Sequence, residues 1–554
     1  MSNGSFYFGK NGFLFKKNTG VGNRRNPKLG LICNQPQDVN NTYVAGSGVG
    51  GTSVATRRAK KYHATVCNGL TGKCKQDFYF MGLPLGGIPP TPKPIPSPKP
   101  TPTPTPNPNP YVCPSITLSD IATYNEDPEG PVWTLNKDTT ILECQTLTID
   151  KTTQLYINNG LTLKNFGKII NNTGSSIFII DPNTMFINEK SGEIINNTSS
   201  TFECSFTGMI INYGKITNND NNFIVIGRDN SLLNNFGNII NDSTSTIISR
   251  NSGTVNNKFG GQITNDGSIQ FLFFNGNPGT LNNDGTITNQ NGGSIQSTGT
   301  GSQITNNSTG IITNDGTSLI TAINSGTIQN YGTITNDGTS QIKAETSGII
   351  QNDGTITNQN GGNIKSSDND SQITNTGQIT NDGTSQITAE VSGTIQNNGI
   401  ITTEYLITSR ESGLITNNYQ ITIGVGGTLQ CGDMDGNIIN EISGTITNNN
   451  NLVVNTGMFT NSGYITNNGS LIVDNNGTFD NSGTIDNNYS TITVISTFTN
   501  NISGTIYTHG DSAVINATGT FTNNGNIYEG QLGCGGPGTI NGTIINGTNG
   551  FDCP

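Results

Sequence analysis

Thr327-Ile-Gln-Asn-Tyr-Gly-Thr-Ile-Thr-Asn-Asp-Gly-Thr-Ser-Gln-Ile-Lys-Ala-Glu-Thr-Ser-Gly348 is the stretch that decides the fold of this chain. Ile328, Ile334 and Ile342 recur in it at steps of 6 and 8, and Ile350 then opens the same pattern again. The series runs on through Ile356, Ile364, Ile373, Ile379, Ile387 and Ile395, so successive cycles measure 22, 23 and 22 residues. Polar residues flank each isoleucine, as in Gly332-Thr-Ile-Thr-Asn336. That is the alternation of a strand, with no 3.6-residue helical period. The density of Gly and Asn also argues against helix. Three short strands per cycle, each turning one isoleucine inward, is the simplest geometry that gives the triplet. No coil can bury its isoleucines alone, so neighbouring coils must cover one another. The expected fold is all-β: a single-stranded, right-handed parallel β-helix with three short strands per coil of about 20–23 residues. The hand follows from that of parallel crossovers.

The pattern extends in both directions. An Asn follows most anchors by two places (Asn306, Asn314, Asn330, Asn336, Asn352, Asn358, Asn375, Asn381, Asn397). In parallel strands about 4.8 Å apart such residues stack, and their amides can hydrogen-bond along the axis. Asn-Asp-Gly triplets ending at Gly316, Gly338 and Gly383 fall at constant places and suit corners with positive φ. Towards the C-terminus the cycle shortens at Ile446, Ile465, Ile485, Ile506 and Ile527. The intervening anchors are expected at Val453 and Phe459, Ile472 and Phe479, Ile492 and Phe498, and Val514 and Phe521. Phenylalanine recurring at one place predicts an internal aromatic stack. Gly167-Lys-Ile-Ile-Asn171 and Gly192-Glu-Ile-Ile-Asn196 keep the motif in a less regular N-terminal half. The expected organisation is a basic Gly-rich segment over 1–83, a Pro-rich linker over 84–114 and a cap with first coils over 115–162. The β-helix follows over 163–528, and a Gly/Cys-rich cap over 529–554.

Charge divides along the same lines. Residues 1–80 hold twelve Lys and Arg against Asp38 and Asp77, a net +10, which leaves −21 for the rest of a chain of net −11. Arg24, Arg25, Arg57, Arg58, Lys60 and Lys61 form the candidate docking patch for an anionic partner. Without a nucleic-acid module it implies no specific nucleic acid. The linker holds 14 of the 22 prolines and must be extended polyproline II. No apolar run reaches the roughly 18 residues of a membrane span. Of nine cysteines, Cys534 and Cys553 are placed to clasp the C-terminal cap, and the other pairings stay open.

Little in the chain points to catalysis. Only His63 and His509 occur, too few for a multi-His metal site, and no cofactor is expected. Most Asp of the regular section belong to the Asn-Asp-Gly turns, where a corner role explains them. Glu404, Arg410, Glu411, Asp433 and Asp435 are the one irregular charged stretch in which to look for a glycan-active site. Gly46-Ser-Gly-Val-Gly-Gly-Thr-Ser53 lacks the lysine of a phosphate loop. Thr286/Thr288, Thr333/Thr335 and Thr355/Thr357 resemble flat threonine arrays that bind ice, but Ile311, Gln378 and Ile400 interrupt the array.

Asn11-Gly-Phe-Leu-Phe-Lys-Lys17, Gly20-Val-Gly-Asn-Arg-Arg25, Cys33-Asn-Gln-Pro36, Gly48-Val-Gly-Gly-Thr-Ser-Val-Ala-Thr-Arg-Arg-Ala-Lys-Lys61 and Ala64-Thr-Val-Cys67 resemble the N-terminal segment of surface proteins of giant DNA viruses of algae and amoebae. The repeats resemble Asn/Thr/Gly-rich β-helices of viral fibres and bacterial filamentous adhesins. The resemblance implies a virion surface fibre or adhesin, docked to the capsid or another anionic particle component through its N-terminus and free to bind host glycans. The alternatives are a β-helix polysaccharide-degrading enzyme and an interaction protein not carried on particles.

Overall fold

The computed structural model describes residues 113–529 except 128, 129, 151, 433 and 511, together with short strands at 6–8, 14–16, 30–32, 539–541 and 544–546. The chain divides into two units, 1–109 and 110–554. Within the first, Phe6–Phe8, Leu14–Lys16 and Gly30–Ile32 form a small antiparallel sheet.

The second unit is the expected right-handed parallel β-helix, of about 18 turns. Each coil contributes one strand to each of three sheets, and each strand pairs in parallel with its counterparts one coil before and one coil after. In the coil of the opening stretch, Thr327–Asn330 belongs to the third sheet, Thr333–Asn336 to the first and Gln341–Glu345 to the second. Ile328, Ile334 and Ile342 then register on Ile350, Ile356 and Ile364, and those on Ile373, Ile379 and Ile387; Ile395 continues the third-sheet column above Ile373. All ten are fully buried. Successive strands of the first sheet start 19–25 residues apart, from Thr146 to Asn526. The spread comes from the corners. The one between third and first sheets is two residues in Tyr331-Gly332 but four in Glu189-Lys-Ser-Gly192, ending on glycine either way.

That glycine is dictated by the stacking distance. A Cβ on Gly354 would stand 2.2 Å from the Gly332 carbonyl oxygen, and one on Gly377 2.1 Å from that of Gly354. These glycines lie outside the positive-φ set, so the constraint is close backbone approach.

Each four-residue strand turns its second and fourth residues inward. In the first and third sheets the fourth is Asn in most coils. From Asn165 to Asn523 the third sheet carries sixteen consecutive Nδ2-to-Oδ1 hydrogen bonds of 2.7–2.8 Å, all donated towards the C-terminal end. The same amides satisfy main-chain carbonyls: Asn306 Nδ2 also reaches Gly310 O (3.2 Å) and Thr333 O (3.1 Å). Buried carbonyls need such partners, which explains a polar residue in a dry core. The first-sheet ladder starts at Asn171, hands over to the Thr403 hydroxyl above Asn381, breaks at Ile423 and resumes from Asn448. In the second sheet the fourth place takes small or apolar side chains, among them Ala344, Ala389, Cys204 and Cys431. The aromatic stack is present in the third sheet, where Phe459, Phe479, Phe498 and Phe521 lie 4.7–5.1 Å apart, ring to ring.

Three anchors are displaced by one residue. Val453, Ile472 and Val514 face outward, and the core takes Leu452, Leu471 and Ile515 instead, in register with Ile492. The strands read Asn-Leu-Val-Val, Ser-Leu-Ile-Val and Val-Ile-Asn-Ala, with apolar residues at adjacent places. Alternation cannot choose between them, and a slip of one residue reverses the face.

At the N-terminal end a one-turn helix, Leu118–Ile121, leads into the hairpin Ala122–Asp127 and Gly130–Leu135. Its second strand pairs with Gln154–Tyr156, so the first edge of the second sheet is covered. A disulfide joins Cys113 to Cys144. Beyond Tyr528, Thr539–Asn541 and Ile544–Asn546 continue the second and third sheets. Cys534 and Cys553 lie outside the described residues.

Cys204 and Cys431 are free and fully enclosed. Burial pushes the Cys204 thiol up to about 12 and raises that of Cys431 as well. Neither is expected to react with iodoacetamide at pH 8 in the folded chain, while both react in denaturant; peptide mass mapping reads the difference. Native-state alkylation of either would contradict a dry interior.

Candidate functional surfaces

With the interior filled by isoleucine and asparagine, chemistry can lie only on outward strand positions and corners. The docking patch Arg24, Arg25, Arg57, Arg58, Lys60 and Lys61 lies outside the described residues, as does Asp433. Among the described residues no group of three or more His, Cys, Asp or Glu is arranged to hold a metal ion, and no helix is long and apolar enough to cross a membrane.

The structure separates the charged stretch singled out in the sequence. Glu404 sits at the corner before strand Leu406–Ser409, while Arg410 and Glu411 sit at the corner after it. Arg410 pairs with Glu390 through Nε (2.9 Å) and a terminal nitrogen (2.5 Å), and Lys365 meets the other Glu390 oxygen. Burial raises the Glu390 carboxyl, but the bonds from Lys365 and Arg410 outweigh it, so the group is held below the usual carboxylate range. It stays ionised as a structural acceptor, unsuited to donating a proton at neutral pH. Asp337, in one of the Asn-Asp-Gly turns, behaves alike. Asn360 Nδ2 (2.7 Å) and Gln359 Nε2 (2.9 Å), both one coil on, hold Asp337 low.

The threonine face is more continuous than the sequence suggested. Ile311, Gln378 and Ile400 all fall in one outward column of the first sheet. The other column carries a threonine in every coil from Thr264 to Thr466, ten coils in register. Outward β-branched residues also stabilise a sheet by stacking on one another, which accounts for the column without a ligand.

Sequence reading did not find the aromatic and basic corner between the second and third sheets. Phe206, Arg228, Arg250 and Phe274 follow one another there on four consecutive coils. The Arg228 guanidinium lies 5.1 Å from the Phe206 ring centroid, and that of Arg250 5.6 Å from Phe274. Their spacing of 22, 22 and 24 residues was a usable signal. It was hidden because the cycle in this half had no anchor count to align it.

No family model and no curated protein matches the chain. Among solved structures it is similar to a TibC-catalysed, hyper-glycosylated TibA55-350 fragment, at 15% identity and a TM-score of 0.21, covering 68% of this chain and 94% of that one. A likeness that slight bears on no function.

Proposed function

We propose that this chain is a surface fibre or spike, with residues 1–83 docking it to a viral particle and the β-helix displayed for adhesion to host glycans. The observation that carries the reading is the unbroken asparagine ladder from Asn165 to Asn523. It ties every coil to the next over roughly 80 Å at strand spacing, as a stiff spacer requires. From Thr254 onward the outward strand positions are largely Thr, Gln, Asn and Ser, suited to solvent. The basic N-terminal segment, opposite in charge to the remainder, supports an electrostatic dock.

A reporter fused to residues 1–80 is expected to co-purify with particles in salt-sensitive fashion. Changing Arg24, Arg25, Arg57, Arg58, Lys60 and Lys61 together to Gln should abolish this. A reporter that stays in the soluble fraction overturns the docking reading. Absence of the intact chain from purified particles, read by mass spectrometry, would favour the interaction protein.

A further inference from the structure

Two guanidinium groups on consecutive coils, Arg228 and Arg250, crown a corner of a unit whose net charge is strongly negative. Arg250 closes strand Thr246–Arg250 and registers on Gly227, its Cγ and Nε lying 3.6 and 3.7 Å, ordinary contact distance, from the Cβ position there. Arg228 is the next residue and is exposed. Each is backed by a phenyl ring, as described above. A guanidinium resting its face on a ring keeps its in-plane fork of N–H donors unspent and loses little freedom when a ligand arrives. Among the described residues neither group takes part in an ion pair, unlike Arg410 and Lys365 lower on the same sheet. Like charges on adjacent coils repel unless an anion lies between them.

Around these forks the surface is apolar. Phe206, Phe273 and Phe274 are 40, 43 and 47% exposed. Phe273 and Phe274 belong to an insertion that makes this corner the widest described, closed by an isolated bridge from Phe274 to Asn277. Exposed phenyl rings clustered around unpaired donors mark a recognition surface.

We infer that this corner binds an acidic glycan, an arginine fork taking its carboxylate in bidentate fashion and the phenyl rings packing against the C–H face of the sugar. A carboxylate matches the planar fork in shape and charge. A single charge fits better than a polyanion, because Glu203 and Asp229 flank the corner and the unit as a whole repels extended negative chains. The inference rests on the adhesive half of the fibre reading and is independent of its docking half.

The test titrates the full chain with three oligosaccharides of equal length: a neutral oligomer ending in one uronic acid, the same oligomer carrying one sulfate instead, and the uncharged oligomer. Binding is followed by calorimetry. The uronic oligomer should bind, at least ten-fold more weakly after Arg228→Gln with Arg250→Gln. Arg228→Lys with Arg250→Lys should also weaken it several-fold, since charge without the fork is insufficient. Unchanged melting of each variant confirms the fold. Equal binding by parent and Gln variant, no uronate binding at all, or preference for the sulfated oligomer would each overturn the inference. So would full competition by single-stranded DNA of matched charge. None of these results touches the particle-docking test.

Discussion

Asn352→Asp is expected to destabilise the β-helix by about 3–5 kcal/mol at pH 7, the cost of an unpaired buried charge, and far less in acid. The Asn352 Oδ1 accepts from Asn330 (2.7 Å), while its Nδ2 donates to Asn375 Oδ1 (2.7 Å) and Gln378 O (3.1 Å). A carboxylate keeps the first bond and turns the other two into oxygen facing oxygen. Asn375 cannot rescue the contact by flipping, because its own Nδ2 is committed to Asn397 (2.8 Å). The ladder runs in one direction, so a flip would have to pass up every remaining coil. Protonation restores one donor. Burial and two acceptors place the folded pKa of this carboxyl above its unfolded value of about 3.9. The sign follows: stability is fully present below the unfolded pKa and is lost as pH rises through the folded one. Melting and hydrogen exchange across pH 3–8 should show coils around residue 352 opening as pH rises. Thr335→Asp, on the outer face, should change stability by less than about 0.5 kcal/mol. A pH-independent N352D curve superimposed on the parent would refute the buried ladder.

Gly354→Ala should cost about 3 kcal/mol or more, the upper end for overpacking. The new Cβ would meet Gly332 O at 2.2 Å and Tyr331 C at 2.7 Å, both backbone. That carbonyl cannot retreat, since Thr355 N donates to it at 2.9 Å, and Gly354 N is itself bonded to Asn330 O at 2.9 Å. The coils must part or the corner must unwind. Gly316→Ala separates this from backbone strain. Gly316 has φ +72°, yet only Asn291 N, at 3.9 Å, would approach its Cβ. It should lose only about 1–2 kcal/mol, the cost of a left-handed alanine. Denaturant unfolding of the three chains ranks them. If both substitutions cost the same, close stacking is not what holds glycine at position 354.

What the sequence disclosed and withheld has physical reasons. The columns from Ile328 to Ile395 were legible because each isoleucine stands between polar neighbours, so its face is unambiguous. The asparagines were legible because two places along a strand is the same face. Leu452 and Leu471 were hidden beside equally apolar Val453 and Ile472, where only the register of the neighbouring coil decides. The pairing of Cys113 with Cys144 depends on how a cap folds back over the first coils, and no periodicity reports that. Arg228 and Arg250 belong to corners, whose lengths vary from coil to coil, so no local pattern aligned them with Phe206 and Phe274.

The two-residue corner ending on glycine has a genetic corollary. Excising residues 333–354 would join Gly332 directly to Thr355, set Asn375 upon Asn330 and Ile356 upon Ile312, and leave every surviving layer with a neighbour of the same kind. Duplicating that segment would do the reverse. Unequal crossing-over between the DNA repeats that encode such coils would therefore lengthen or shorten the molecule by whole storeys, making its reach adjustable over generations while both termini keep their sequence.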